Sequence, residues 1–207
     1  MKYILLFFLA APLLTFSQTS PDIIITNGRI LDGTGNSWYH ADVAVKGDKI
    51  ISIKKGLANQ FLNAKIIDAK NMIVSPGFID VHAHIEGSIF ERPTANNYIY
   101  DGVTSVVTGN CGGAADDIAD FFRRLDSIGT SINVATLAGH NNIRRLGMGL
   151  EDRKATAEEM KKMEALTEKA MKDGAVGLST GLIYLPGMYS PTEEIVALAK
   201  IAAANGG

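Results

Sequence analysis

The sequence predicts an α/β protein, in which a small β domain precedes the first four strands of a truncated (β/α)8, TIM-like barrel. Residues 22–68 are rich in β-branched residues and turns and have no helical periodicity. From residue 73 onward, β-type segments alternate with helical ones, which is typical of parallel strands. Unusual polar residues follow the strand ends, where parallel α/β folds place their sites.

Residues 1–17 have the pattern of a secretory signal peptide. Lys2 precedes an apolar run at residues 3–16, and the small residues Thr15 and Ser17 suit a cleavage site directly after them. The run is too short for a membrane-spanning helix. We therefore expect an exported protein, periplasmic or extracellular, with no membrane attachment after cleavage; a buried strand or an N-terminal anchor is the alternative.

Composition and net charge limit the classes of function that this chain can have. The chain has 207 residues, 46% of them hydrophobic, which is ordinary for a globular protein. Its net charge of −2 does not indicate a nucleic-acid-binding surface. The single cysteine, Cys111, has no partner in this chain for a disulfide, so its thiol is buried, intermolecular or a metal ligand.

Residues 18–72 are assigned to the small β domain. Two stretches, residues 22–31 and 41–55, have the composition of strands. Within the second stretch, Lys46, Gly47 and Asp48 predict a hairpin turn.

Residues 73–207 are assigned to the barrel. The predicted strands are residues 72–86, 103–113, 132–142 and 175–184. The predicted helices are residues 94–101, a stripe around 118–125 closed by Gly129, a helix capped by Thr156 and Glu159 that runs to Asp173, and a last helix opened by Ser190 and Pro191. A glycine pair stands where a fifth strand would begin, so we expect half a barrel.

The stretch "PGFIDVHAHIEG", residues 76–87, predicts a metal site. Strand alternation places His82 and His84 on one face with Asp80. The opposite face is uniformly apolar, with Ile79, Val81, Ala83 and Ile85. Neutral imidazole is a common zinc ligand, and two on one strand face can reach one metal. Polar surface on an edge strand is the alternative.

Four stretches carry a family resemblance. "PGFIDVHAHIEG" resembles the first barrel strand of the amidohydrolase superfamily. "GVTSVVTGNCGG", "AGHNNIR" and "GAVGLSTGLIYLPGMYSPTEEI" are together similar to its N-acyl-D-amino-acid deacylases (D-aminoacylases). The resemblance covers residues 22–207. It implies a small β-sandwich assembled from both chain ends, an amidohydrolase barrel, and zinc-dependent hydrolysis of N-acyl-D-amino acids to a carboxylate and a D-amino acid.

The resemblance also implies a ligand set for Zn²⁺. Cys111 matches the family's ligand of a tightly held zinc, which two later histidines complete. His82 and His84 match a second, weaker metal site. The acid–base aspartate of the family falls beyond residue 207, so we expect the fragment itself to be inactive.

Two further residues are candidates for contact with the substrate, and the family resemblance suggests the first of them. Tyr184 corresponds to a phenol that hydrogen-bonds the substrate carbonyl; packing is its alternative role, and Tyr189 ranks second. His140 is a candidate for substrate contact, and holding a loop by hydrogen bonds is its alternative. The sequence departs from the family at Asn142, where relatives often carry a small residue such as threonine.

Two other functions stay open on the sequence alone. A cyclic-amide hydrolase of the dihydroorotase or hydantoinase type usually has a lysine after its fourth strand, where this chain reads "GLSTGLIY". A non-catalytic, exported metal-binding fragment is the other. In the leading interpretation the partner is a small N-acyl-D-amino acid.

Overall fold

The computed structural model describes residues 19–207, so the predicted signal peptide at residues 1–17 lies outside the described residues. The chain divides into two compact units between Pro76 and Gly77, whereas the sequence analysis placed the domain boundary after residue 72. Across the described range, no helix has both the length and the apolar character that a membrane crossing requires.

The first unit consists of strands and turns, with no helix among residues 19–76. Its strands are β1 (Ile23–Thr26), β2 (Arg29–Ile30), β3 (Tyr39–His40), β4 (Asp42–Lys46), β5 (Lys49–Lys54), β6 (Lys65–Asp68) and β7 (Ile73–Val74). They form one sheet of order β5-β4-β1-β6 and a smaller one of order β3-β2-β7. The predicted hairpin is confirmed, because β4 pairs antiparallel with β5 across Gly47, whose φ is 57°.

The second unit contains the predicted parallel strands. They are β8 (Phe78–Asp80), β9 (Val103–Thr108), β10 (Asn133–Thr136), β11 (Ala138–Gly139) and β12 (Leu178–Ser179). β8, β9 and β10 pair in parallel, and so do β11 and β12. β10 and β11 are two pieces of one predicted strand, interrupted at Leu137, whose N–H donates to the Thr108 carbonyl at 2.9 Å. The strands thus form a three-stranded sheet of order β10-β9-β8 and a two-stranded sheet of β11 and β12.

Six α-helices connect and cover these strands within Gly77–Gly207, and a single 3-10 turn is formed by Gly187–Tyr189. The α-helices are α1 (Ser88–Glu91), α2 (Asn96–Tyr100), α3 (Ile118–Ile128), α4 (His140–Met148), α5 (Ala157–Lys172) and α6 (Thr192–Ala204). The predicted capping box of α5 is confirmed, since Thr156 accepts from the Glu159 N–H at 3.2 Å and Glu159 accepts from the Thr156 N–H at 2.8 Å. α3 ends at Gly129, as predicted, with φ of 66°.

Two groups of buried apolar side chains hold the helices of this unit against its strands. One group joins α3 to β9 and to the segment after β8, and consists of Ala83, Ile85, Ile89, Ala95, Val106, Phe121, Leu125 and Ile132. The other joins α4, α5 and α6 to β11, and consists of Ile118, Ala138, Ile143, Met163, Met171, Ala175, Leu198 and Ala202. Burial of this apolar surface fixes the helices on one side of the strands and leaves the strand ends accessible.

All four predicted strands are shorter in the structure, and the second ends at Thr108, not at residue 113. The segment 72–86 is two strands, because Ile73–Val74 pairs with β2 in the first unit and Pro76 separates it from β8. The third strand ends at Gly139, where α4 begins, and the fourth is reduced to Leu178–Ser179.

The predicted apolar face beside the histidines is only partly buried. Ala83 and Ile85 are each 3% exposed and join the core, whereas Ile79 and Val81 are each 66% exposed. The difference arises because the core of this unit packs against the segment after β8, not against β8 itself.

Candidate metal centre

Three predicted ligands meet at the strand ends. The ligand atoms of His82, His84 and Cys111 all lie within 4.8 Å of one another. The Cys111 sulfur is 3.3 Å from His82 Nε2, and the two imidazole rings have centroids 5.5 Å apart. Both histidines are exposed and Cys111 is half-buried, so a metal ion can reach all three from solvent.

The spacing of these atoms fits a bound metal ion. When a nitrogen and a sulfur bind one zinc ion at the usual bond lengths and at a tetrahedral angle, the two atoms lie about 3.4–3.6 Å apart. The sulfur–nitrogen distance of 3.3 Å is close to that value. Imidazole and thiolate together are a donor set that zinc and its neighbours in the first transition row prefer over oxygen-seeking ions.

The backbone between the two histidines is fixed on both sides. The Asp80 carboxylate accepts from the His82 N–H at 3.0 Å, which ends β8 in a tight turn. Ala83, which lies between the histidines, donates its N–H to the Val107 carbonyl at 3.0 Å. Because Ala83 is buried, His82 and His84 both point away from the core.

The loop that carries Cys111 requires an unusual backbone. Gly109, Cys111 and Gly112 have φ of 77°, 55° and 77°. A Cβ at Gly109 would lie 2.4 Å from the Leu137 carbonyl oxygen, and one at Gly112 would lie 2.8 Å from the Gly181 nitrogen. Only glycine fits at these two positions, and Cys111 is held in a left-handed conformation between them.

Neighbouring elements hold this loop in place. The Gly112 N–H donates to Ser179 Oγ at 3.0 Å, and that hydroxyl donates to the Gly109 carbonyl. The Asn141 N–H donates to the Gly112 carbonyl at 2.9 Å. The Cys111 loop is therefore held by β12 and α4 as well as by β9, the strand that it follows.

A cleft opens beside the cluster. It has a volume of about 360 Å³ and is lined in part by His84, Cys111, Asn141, Arg145 and Tyr184. Tyr184 is 55% exposed, so its phenol can meet a bound molecule. Tyr189 is half-buried and is not among the side chains that line this cleft. The cleft thus combines possible metal ligands with a cation and a phenol.

Residues 65–206 match the profile described as "Amidohydrolase family". This chain belongs to the amidohydrolase family. Its sequence is similar to that of N-acyl-D-glutamate deacylase from Alcaligenes xylosoxydans xylosoxydans, with 36% identity over 91% of this chain and 43% of the relative.

Comparison with solved structures shows that the similarity to these relatives extends to the fold. A D-aminoacylase described for its binuclear metal center matches with a TM-score of 0.84 and 32% identity. The N-acyl-D-glutamate deacylase from Bordetella bronchiseptica, complexed with zinc and a phosphonate mimic of the tetrahedral intermediate, matches with a TM-score of 0.84 and 35% identity. Both cover 90% of this chain, which spans 44% of each. The resemblance to N-acyl-D-amino-acid deacylases is confirmed.

His140 lies in the interior of its compact unit and is not among the residues that line the cleft. It is 0% exposed, and its Nε2 lies 2.9 Å from a Glu194 oxygen. Arg144, also fully buried, donates to the other Glu194 oxygen. Burial would raise the pKa of Glu194, but hydrogen bonds from His140 and Arg144 outweigh it and hold that pKa below its usual value. This placement favours the loop-holding role over the predicted substrate contact.

The sequence marks Asn142 only as a departure from the family and gives no role to the polar residues of α4 that face the loop. Asn142 accepts from the Ala114 N–H at 3.0 Å and donates to the Ala114 carbonyl at 2.8 Å. It also donates to Asp116, which pairs with Arg145. Burial opposes ionisation of Asp116, but these two donors lower its pKa. The sequence signal for this contact was the departure from the family at Asn142, whose side chain hydrogen-bonds to the segment after Cys111.

Proposed function

We propose that the whole protein is a zinc-dependent amidohydrolase that cleaves the amide bond of N-acyl-D-amino acids. The products are a carboxylate and a D-amino acid. The observation that supports this most strongly is the cluster of His82, His84 and Cys111, two of which line the cleft, in a chain related to such deacylases. The chain spans less than half the length of these relatives, so other groups of the site belong to the remainder of the whole protein.

His82, His84 and Cys111 would hold the metal. Following the family resemblance, we assign Cys111 to a tight zinc site and the two histidines to a weaker one. Because the Cys111 sulfur lies 3.3 Å from His82 Nε2, a spacing that two ligands of one ion can adopt, the sulfur would also be within reach of an ion at the weaker site. When bound, zinc supplies an acidic water and polarises the acyl carbonyl.

Tyr184 would orient the substrate carbonyl. Its phenol lines the same cleft as His84 and Cys111 and is exposed to it. A phenol O–H can donate a hydrogen bond that strengthens as negative charge develops on the carbonyl oxygen. Tyr184 therefore has the chemistry and the location of an oxyanion-stabilising group.

Arg145 would bind an anionic group of the substrate. N-acyl amino acids carry a carboxylate, and Arg145 is the one lysine or arginine among the described residues that line the cleft. Arg145 Nη2 donates a hydrogen bond to Asp116. Because a guanidinium has five N–H donors in all, other donors of Arg145 remain for a substrate carboxylate. The charge of the cleft thus suits the proposed substrate.

Activity of the whole protein on matched N-acetyl-D- and N-acetyl-L-amino acids tests this proposal. We expect turnover of D substrates only, loss of turnover after chelation, and recovery with added zinc. A zinc-loaded protein that hydrolyses a cyclic amide but none of the N-acyl-D-amino acids would replace the proposal with the cyclic-amide alternative.

A further inference from the structure

We propose that Glu86 is a positioning residue that locks the His-x-His segment to the Cys111 loop and thereby sets the affinity of the metal centre. Glu86 lies directly after the segment that carries His82 and His84. The inference rests on the proposed metal site but not on the identity of the substrate.

One oxygen of Glu86 joins the two ligand-bearing segments. Glu86 Oε1 accepts from the Thr108 hydroxyl at 2.6 Å and from the Gly109 N–H at 2.7 Å. Thr108 and Gly109 are the turn from β9 into the Cys111 loop, where Gly109 already has a left-handed backbone. The carboxylate therefore fixes the point at which the loop leaves its strand.

The Thr108 hydroxyl relays this contact to the histidine segment. Thr108 is 0% exposed, and its oxygen accepts from the Ile85 N–H at 3.2 Å. The Ala83 carbonyl is also 3.2 Å away, but a hydroxyl has one proton to donate. The shorter contact to Glu86 takes that proton, which leaves the oxygen lone pairs directed at Ile85.

Asn110 also links the histidine segment to the end of β9, and its contacts do not involve Glu86. Its side-chain N–H groups donate to the Val107 carbonyl at 2.8 Å and to the Ala83 carbonyl at 3.3 Å. Loss of the Glu86 contacts would therefore leave the histidine segment attached to β9 while freeing the first turn of the Cys111 loop. The expected consequence is a displaced sulfur, not a lost fold.

Glu86 acts through these neighbours and not as a ligand. Among the described residues, the group of side chains able to hold a metal consists of His82, His84 and Cys111, without Glu86. Residues that orient metal ligands by hydrogen bonds commonly change metal affinity by about 10- to 100-fold when they are removed. Such an effect is large enough to measure directly.

The test compares Glu86 variants in the whole protein, with zinc affinity measured by chelator competition and the thiolate–metal absorption band recorded after cobalt(II) substitution. We expect Glu86→Ala to weaken zinc binding by about 10- to 100-fold and to alter the cobalt band. Glu86→Gln retains an acceptor oxygen and is expected to keep most of the affinity. Glu91→Ala, at an exposed acid on α1, is the matched control and is expected to bind as wild type.

Two outcomes would overturn the proposal. Wild-type affinity and cobalt absorption in Glu86→Ala would show that the hydrogen bonds do not position the sulfur. Equal losses in Glu86→Gln and Glu86→Ala would assign the effect to charge. If Glu86→Ala does not fold, Glu86→Asp takes its place, because it keeps the charge but withdraws the oxygen by one methylene and is expected to bind more weakly than Glu86→Gln. These readouts use no substrate, so failure of the proposed activity would be seen separately.

Discussion

Cys111 occupies a backbone conformation that disfavours any side chain. Its φ of 55° is in the left-handed region, where a non-glycine residue costs about 1–2 kcal/mol. Glycines stand two positions before it and directly after it, yet this position keeps a thiol. A cost of that kind at a cleft is characteristic of a residue retained for its chemistry.

The strain at Cys111 can be measured with two substitutions that both remove the thiol. We expect Cys111→Gly to exceed Cys111→Ala in free energy of unfolding by about 1 kcal/mol, because glycine adopts the left-handed conformation without penalty. Denaturant unfolding of the metal-free whole protein gives both values. A Cys111→Ala protein as stable as Cys111→Gly would show that the position is unstrained.

Arg145 offers a second test at the residue scale. We expect Arg145→Gln to raise KM for N-acyl-D-amino acids by about 10- to 100-fold, since a charge-assisted hydrogen bond contributes about 1.5–3 kcal/mol. The change in kcat should be smaller, because the lost contact binds substrate and transition state alike. The measurement is steady-state kinetics on the whole protein.

Arg123→Gln is the matched control for Arg145. Arg123 also pairs with an aspartate, Asp120, but on the exposed side of α3 and away from the cleft. We expect its KM to stay at the wild-type value. A similar rise in KM for both variants, or none for Arg145→Gln, would remove Arg145 from substrate binding.

At the scale of elements, a buried charged cluster connects α4 to α6. Glu194 of α6 is 3% exposed and accepts from His140 and Arg144, which are both on α4. Arg144 also donates to the Arg153 carbonyl at 2.7 Å, in the segment before α5. The ion pair between Arg144 and Glu194 therefore helps to hold α4, α6 and the segment before α5 together. α4 in turn supports the Cys111 loop through Asn141.

Replacing Glu194 should destabilise the protein strongly. Breaking a buried ion pair by removing one partner costs about 3–5 kcal/mol, so we expect Glu194→Ala to lower the thermal midpoint well below wild type at neutral pH. Glu193→Ala, at the exposed neighbouring position in the first turn of α6, is the control and should have little effect.

The stability contributed by Glu194 should depend on pH in a defined direction. Its pKa in the folded protein is below the ordinary value of 4.5. A lowered folded pKa gives a contribution that is complete above the unfolded pKa and is lost as pH falls through the folded one. The difference between wild type and Glu194→Ala should therefore be constant from neutral pH down to about pH 5 and shrink in stronger acid. A difference that grows in acid would contradict this assignment.

The sequence predicted those elements whose signals are local. α3, α5 and α6 have apolar stripes with caps or glycine stops beside them, and both signals are set by near neighbours in the chain. α4 was missed because its buried face includes His140, Asn141 and Arg144, so no apolar period marks it. Its helical form depends on partners from distant segments.

The proximity of His82, His84 and Cys111 could be predicted because parallel strands end at a common edge. This rule alone brings His82 and His84 close to Cys111. The contacts of Glu86, Asn110 and Asn142 could not be predicted, since each joins a side chain to backbone groups of a loop. The positions of those groups follow from the left-handed turns at Gly109 and Gly112 and have no periodic signature.

At the scale of the whole molecule, His82, His84 and Cys111 all lie in one compact unit, Gly77–Gly207. If they bind a metal as proposed, that unit supplies these three ligands, and the proposal assigns the remaining ones to the rest of the whole protein. The first unit, up to Pro76, contributes none of the three.

Export of the whole protein stays a prediction. The basic Lys2, the apolar run at residues 3–16 and the small Ser17 predict cleavage before Gln18. Mass spectrometry of the protein recovered from the periplasm or medium of its natural host should show an N-terminus near residue 18. A mature exported protein that retains Met1 would contradict it.

Zinc content and turnover of Cys111→Ala in the whole protein, beside wild type, test the central claim most directly. We expect the variant to stay folded while it loses most of its bound zinc, measured by elemental analysis, and nearly all hydrolysis of N-acetyl-D-methionine, because the thiolate is the assigned ligand of the tight site. His82→Ala, the comparison variant, should keep the tight zinc. Stoichiometric zinc together with normal turnover in Cys111→Ala would show that the thiol only packs, and would contradict the assigned metal centre.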